Sequence, residues 1–276
     1  MKLTGLQTFI TLLSLLAVTV SAQVLAETNP FPHRDKFKDV KVMEMEVLKA
    51  TAENVTIVDV RSRYEYDTLH IKGAVNIPLN SDSFGQSIAD IQKAEGKQIV
   101  FYCNGGKCKK SYEAVQKARK AGVADCIAYD AGIYAWAQKV PEQSVLLGKT
   151  PMRSADFIDN DRFKSRLIDA RTFEAKKSGG GLILDIRDRA QRDTQVFPFE
   201  EERAELREID RIKQIIDNSR KQGKTLLVYD KVGKQVRWFQ YLLERQGVKN
   251  YYFMKGGSEG YYEEKLGKFR FDQAGG

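Results

Sequence analysis

FYCNGGKCKKSYEAVQKARKAG, residues 101–122, decides the reading of this chain. An apolar run enters Cys103, and Asn104, Gly105 and Gly106 form a tight turn. From Ser111 apolar positions recur at helical spacing, with Ala114, Val115 and Ala118 as candidate core residues. A strand, a glycine turn and a helix in that order make a unit of a parallel α/β sheet. The unit occurs twice. IVDVR at 57–61 matches ILDIR at 183–187, and IVFYC at 99–103 matches LLVYD at 226–230. The following helices end at AGV (121–123) and QGV (246–248). Third strands follow, CIAYDAG at 126–132 and YYFMKGG at 251–257, with aromatic Trp136 and Tyr261 four residues beyond. Five landmarks in one order at a nearly constant offset indicate a duplicated domain rather than a short solenoid repeat. The expected fold class is α/β, two units each with a mainly parallel sheet flanked by helices. The expected organisation is a leader at 1–26, a first domain at 36–140, a Pro- and Gly-containing linker at 141–152, and a second domain at 153–268. Residues 27–38 read as an unstructured lead-in.

The 276 residues are 42% hydrophobic and 30% charged, the composition of a globular chain. Lys2 followed by the apolar run Phe9–Val20 and small residues at Ser21-Ala22 and Leu25-Ala26 has the pattern of a cleavable secretory signal. The run is too short to span a bilayer, so stable membrane insertion after cleavage is not expected. A periplasmic or secreted location follows. The formal net charge is +8, but acidic and basic residues alternate and no basic arm carries interleaved aromatics. That argues against a nucleic-acid partner and leaves a mild field favouring small anions. The cysteines are 103, 108 and 126, with no CxxC spacing and no neighbouring histidine, so no metal site is expected.

Cys103 at a strand end, ahead of a helix start, places its sulfur under clustered backbone N–H groups. Such a cradle attracts anions and favours thiolate over thiol. Gly105 and Gly106 allow positive φ and close backbone approach. In such sheets ligands sit beyond the carboxyl ends of the strands, where Asp59, Arg61 and Cys103 all lie.

These residues resemble the rhodanese family of sulfurtransferases. The opening block reads VDVRSRYEYDTLHIKGAVNIPL (58–79), with Asp59, Arg61, Glu65 and the HIKGA stretch from His70. The active strand ends YC at 102–103, and the closing block is DAGIYAW (130–136), with Ala131 in place of the usual first glycine. The resemblance covers residues 40–138. It implies Cys103 as nucleophile and Gly106 as the loop glycine. Asn104, Gly105, Lys107, Cys108, Lys109 and Arg61 then surround the donor, and Asp59 and His70 are supporting residues. The implied chemistry is transfer of sulfane sulfur from a small anionic donor such as thiosulfate, through a Cys103 persulfide, to a thiol or protein sulfur acceptor, without a cofactor.

The loop departs from the family's common length: C-x-G-x-x-C-x-x-S places a second cysteine at 108. Cys108 reads as a bystander, or as a group that attacks a Cys103 persulfide or pairs with Cys103 as a disulfide. Cys126 reads as packing. The second copy keeps Asp185, Arg187 and Gly233 but has Asp230 where the nucleophile would stand and FPFEEERAE (197–205) in place of HIKGA. It reads as inactive, with a carboxylate that repels anions. Two other functional readings remain: a non-catalytic sulfur carrier or redox sensor, and a phosphatase- or arsenate-reductase-like enzyme using Cys103 with Lys109. Lysine lacks the bidentate fork that suits a tetrahedral oxyanion.

Overall fold

The computed structural model describes residues 29–267. The leader expected over 1–26 and position 268 lie outside the described residues. From Phe31 onward the chain forms one unit containing two parallel sheets. The first lobe supplies β1 (Thr56–Asp59), β2 (Leu69–Ile71), β3 (Val75–Asn76), β4 (Ile99–Tyr102), β5 (Cys126–Tyr129) and β6 (Ser144–Leu146). The second supplies β7 (Leu167–Ile168), β8 (Leu182–Asp185), β9 (Glu201–Arg203), β10 (Leu226–Tyr229) and β11 (Tyr251–Met254). The helices of the first lobe are α1 (Met45–Thr51), α2 (Arg63–Thr68), α3 (Phe84–Glu95), α4 (Lys110–Lys120) and α5 (Gly132–Lys139). Those of the second are α6 (Asn160–Lys164), α7 (Ala170–Ser178), α8 (Ile209–Lys221), α9 (Gln235–Arg245) and α10 (Gly257–Leu266).

The sheet orders are β3-β1-β4-β5 and β7-β11-β10-β8-β9. Read from the other edge, the second is the first with one more strand. Even that strand has a counterpart. Val42 bridges Ala128 in parallel, as Leu167 pairs with Phe253. Register repeats as well: Asp59 lies opposite Tyr102, and Asp185 opposite Tyr229. Strands β1, β4 and β10 are buried along their whole length. Continuous apolar runs of this kind require cover on both faces, which the helices supply. On α4 the buried face is Ser111, Tyr112, Ala114, Val115 and Ala118, matching the sequence periodicity. Lys117, Arg119 and Lys120 fall in its last turn, where cations suit the helix dipole.

The lobes share a core. Trp238 and Tyr241 of α9 lie in the same apolar cluster as Tyr102, Trp136 and Leu69 of the first lobe. Trp238 stacks on Tyr134 with 5.1 Å between ring centres. The Tyr241 hydroxyl accepts the Ile158 N–H at 3.1 Å.

Two expectations about irregular chain need correction. The stretch 141–152 contains β6, which pairs antiparallel with β2, Leu69 opposite Leu146. Its apolar residues are short and flanked by Pro and Gly, so only the partner strand reveals them. The lead-in also packs from Phe31 onward. Arg34 holds the Asp130 carboxylate at 2.8 and 3.0 Å, Phe37 stacks on Tyr112, and Val40 is buried. None of these partners is close in sequence.

Candidate active site

The site is built at the carboxyl end of β4. Cys103 is 0% exposed and belongs to the apolar cluster with Val58, Phe101, Tyr112 and Ala128. Its thiol donates to the Cys108 carbonyl at 3.4 Å and lies 3.9 Å from Ser111 Oγ. The backbone N–H groups of Gly105 and Ser111 act to lower its pKa. Those of Asn104 and Lys110 act in the same sense on Cys108, which is half-buried. The loop amides thus act on two sulfurs rather than one.

That division changes the expected ionisation. Burial pushes the Cys103 thiol up, and the neighbouring Cys108 adds to the rise, although the Ser111 and Gly105 amides oppose it. Cys108 moves the other way, down to about 6. The hydrogen bond from Cys103 lowers it most, and the Lys110 and Asn104 amides and the Lys110 charge add to that against burial. A negative charge in such a pair favours the sulfur nearer water and the lysine. The expectation of a lowered pKa at Cys103 is thus corrected: burial raises Cys103, and it is Cys108 that is lowered.

Behind the loop, Arg61 is fully buried. Its Nε and Nη2 bind the Asp59 carboxylate, Nη2 also donates to the Leu69 carbonyl at 2.6 Å, and Nη1 reaches Asn104 Oδ1 at 3.4 Å. The guanidinium stands 4.9 Å from the Trp238 ring centre, a cation–π distance. Asn104 Nδ2 donates to Glu65 Oε1 at 3.0 Å. Glu65 itself closes a capping box with Ser62 at the start of α2. Burial alone would raise the Glu65 pKa, but the Arg61 charge and the Asn104 and Ser62 hydrogen bonds hold it lowered. Arg61 and Asn104, expected beside a donor, are therefore committed to the protein, and they anchor the first residue of the loop.

Other expected residues fall outside this arrangement. Lys109 is exposed and paired with Glu113 at 2.8 Å, and Lys107 is exposed with its carbonyl 3.2 Å from His33 Nε2. His70 lies on β2, stacked 3.9 Å from Tyr66 with Nδ1 on the Tyr66 carbonyl, a structural role. The positive φ assigned to Gly105 and Gly106 falls instead on Gly132, at 67°. A Cβ on Gly132 would come within 2.6 Å of the Cys103 carbonyl oxygen, so only glycine lets α5 start against the loop. The Ala131 departure is harmless because that residue has φ −63°. Glu65, Ser111, Gly132 and Trp238 complete the site. Of these, Glu65 and Ser111 were visible as motif positions, whereas Trp238 comes from the other lobe and had no local signal.

Comparison with known proteins bears on this region first. The Rhodanese-like domain family matches residues 44–139. Residues 44–139 are a rhodanese-like domain. The "Probable adenylyltransferase/sulfurtransferase MoeZ" of Mycobacterium tuberculosis is 31% identical to this chain over 96 residues, 35% of this chain and 24% of that protein. The tRNA uridine(34) hydroxylase of Escherichia coli is 25% identical over 161 residues, 56% of this chain and 44% of that one. The chain thus spans about a quarter of the length of the first relative and under half of the second. Among solved structures, the thiosulfate sulfurtransferase of Pseudomonas aeruginosa aligns at 16% identity with a TM-score of 0.38, covering 82% of this chain and 43% of that one. Cys103 lies inside the rhodanese-like domain, and Asp230 lies outside the matched residues.

In the second lobe the same strand end carries Asp230. Its carboxylate accepts the N–H groups of Gly233, Gln235 and Val236, the last at 3.1 Å. Burial raises its pKa, and those amides oppose the rise. Arg187 binds Asp185 as Arg61 binds Asp59. Gly257, at φ 63°, stands against Lys231 and Val232 as Gly132 stands against the Cys103 loop.

Proposed function

We propose that this protein is a sulfurtransferase that carries sulfane sulfur on Cys103. The carrying observation is a cysteine directly after β4, at the start of the loop into α4, within a rhodanese-like domain. The sulfurtransferase activity named in the MoeZ relative supports the same reading. As an anionic donor such as thiosulfate approaches, Cys103 gives up its thiol proton to solvent. The Cys103 thiolate then attacks the outer sulfur of the donor. A sulfur–sulfur bond forms at Cys103, the donor's own sulfur–sulfur bond breaks, and sulfite leaves with the electron pair. The amides around the pair stabilise the charge that develops. An acceptor removes the outer sulfur and restores Cys103. The leader at residues 1–26 supports export of the chain, so this chemistry belongs outside the cytoplasm. Detection of a mature N-terminus near residue 27 in an extracytoplasmic fraction tests that location.

Full burial of Cys103 favours a second reading, a carrier that is loaded without rapid turnover. Thiocyanate formation from thiosulfate and cyanide separates the two. We expect multiple turnovers by the wild type and a fall of at least ~1,000-fold in Cys103→Ser, because the nucleophile that carries the sulfane sulfur is then gone. Equal rates in both proteins would end the assignment. One sulfur bound per chain with no further turnover would establish the carrier.

A further inference from the structure

We propose that, when no external acceptor such as cyanide takes the sulfur, Cys108 resolves the Cys103 persulfide, forming a 103–108 disulfide and expelling hydrosulfide, so that the protein then needs an external dithiol to complete its cycle. The inference rests on the sulfurtransferase reading above and specifies what accepts the sulfur.

Geometry carries it. The Cys103 sulfur sits 3.4 Å from the carbonyl oxygen of Cys108, so the loop folds its second cysteine back onto the first. The Asn104 and Lys110 amides and the Lys110 charge favour the thiolate form of Cys108. The turn that brings this about is fixed by the Cys108 N–H, which donates to the Gly105 carbonyl at 2.7 Å. Cys126 takes no part. It is buried on β5 and donates to the Val123 carbonyl at 3.4 Å. The second lobe runs directly from Asp230 through 231–234 into α9, whereas the first lobe uses the longer segment 104–109. The added length is what admits Cys108.

The step balances. The Cys108 thiolate attacks Cys103 Sγ, the Cys103–sulfane bond breaks, and the outer sulfur leaves as HS⁻ with the bonding electrons. Counted from the donor, one thiosulfate and two thiols give one sulfite, one hydrosulfide, one disulfide and one proton. The thiols are oxidised and the sulfane sulfur is reduced to sulfide. Because Cys108 is half-exposed and Cys103 is sealed, an incoming dithiol meets the disulfide at the Cys108 sulfur and releases Cys103 as the leaving thiolate.

The test treats the reduced protein with thiosulfate without oxygen or cyanide, and reads intact mass, the 103–108 peptide and released sulfide. We expect the wild type to release about one hydrosulfide per chain and to end about 2 Da below its reduced mass, with the disulfide mapped to Cys103 and Cys108. Dithiothreitol should then restart sulfide release. Cys108→Ser should retain about 32 Da, one sulfur, on Cys103 and release none before dithiothreitol is added. A wild type that holds the added sulfur while Cys108 remains open to alkylation overturns the resolving role and leaves the sulfurtransferase reading standing. Failure of both proteins to take up sulfur overturns that reading, and the resolving role with it.

Discussion

The two strand-end loops of this chain solve the same electrostatic problem with different occupants. Both close on a glycine at positive φ, and both stand over an Asp–Arg pair fixed by the same strand register. In the first lobe the loop amides act on two sulfurs, one of them half-exposed. In the second they are occupied by the carboxylate of Asp230. An amide cradle attracts negative charge whatever its source. Duplication kept the cradle, and a covalently attached anion closed it in one copy. The sequence expectation that Asp230 would repel incoming anions is therefore refined: its carboxylate is already the bound anion. What the second lobe offers the first is packing, with Trp238 set against the buried Arg61 that holds the Cys103 loop through Asn104.

The largest effect we expect on this comparison comes from removing the buried arginines. Arg61→Ala leaves the buried Asp59 without its ion-pair partner, a loss of about 3–5 kcal/mol in denaturant unfolding. Arg187→Ala should cost less, because Arg192 remains 3.8 Å from the Asp185 carboxylate. A loss confined to Arg61 would break the parallel. A smaller effect is expected at Asp230. Asp230→Ala strands the amides of Gly233, Gln235 and Val236 away from the carboxylate, costing about 1–3 kcal/mol, and should leave sulfur uptake at Cys103 intact. Abolished uptake in a folded Asp230→Ala protein would give the second lobe a chemical role.

The smallest effect is a displaced titration. Only the thiolate alkylates, and Cys108 is lowered to about 6, so its alkylation rate should stay high below the ordinary thiol range and fall as pH drops through about 6. In Cys103→Ala the thiol hydrogen bond that lowers Cys108 most is removed, and the midpoint should move upward. An ordinary midpoint near 8.5 in the wild type would show that the loop does not lower Cys108.

How much of this was legible depended on whether the physical cause was local. The strand entering Cys103, the buried face of α4 and the Asp59–Arg61 spacing were readable because each follows from neighbours within a few residues. The duplication was readable because the same local pattern recurs in the same order. The roles of Arg61 and Asn104 were misread, since a strand-end arginine looks the same whether it meets a ligand or a buried carboxylate. Strand β6 was hidden by its brevity, and the packed lead-in by partners such as Asp130 and Tyr112 far along the chain.

Sequence by itself determined the α/β class, the repeat, and the placing of a cysteine in one strand-end loop and an aspartate in the other. Those facts are written in periodicity and spacing, which need no knowledge of distant contacts. Only the tertiary structure decided that Cys103 is raised and Cys108 lowered, because ionisation depends on burial and on amides brought together by the fold. It also decided that Trp238 backs the Cys103 loop, since packing between residues so far apart in the chain leaves no mark on either local pattern.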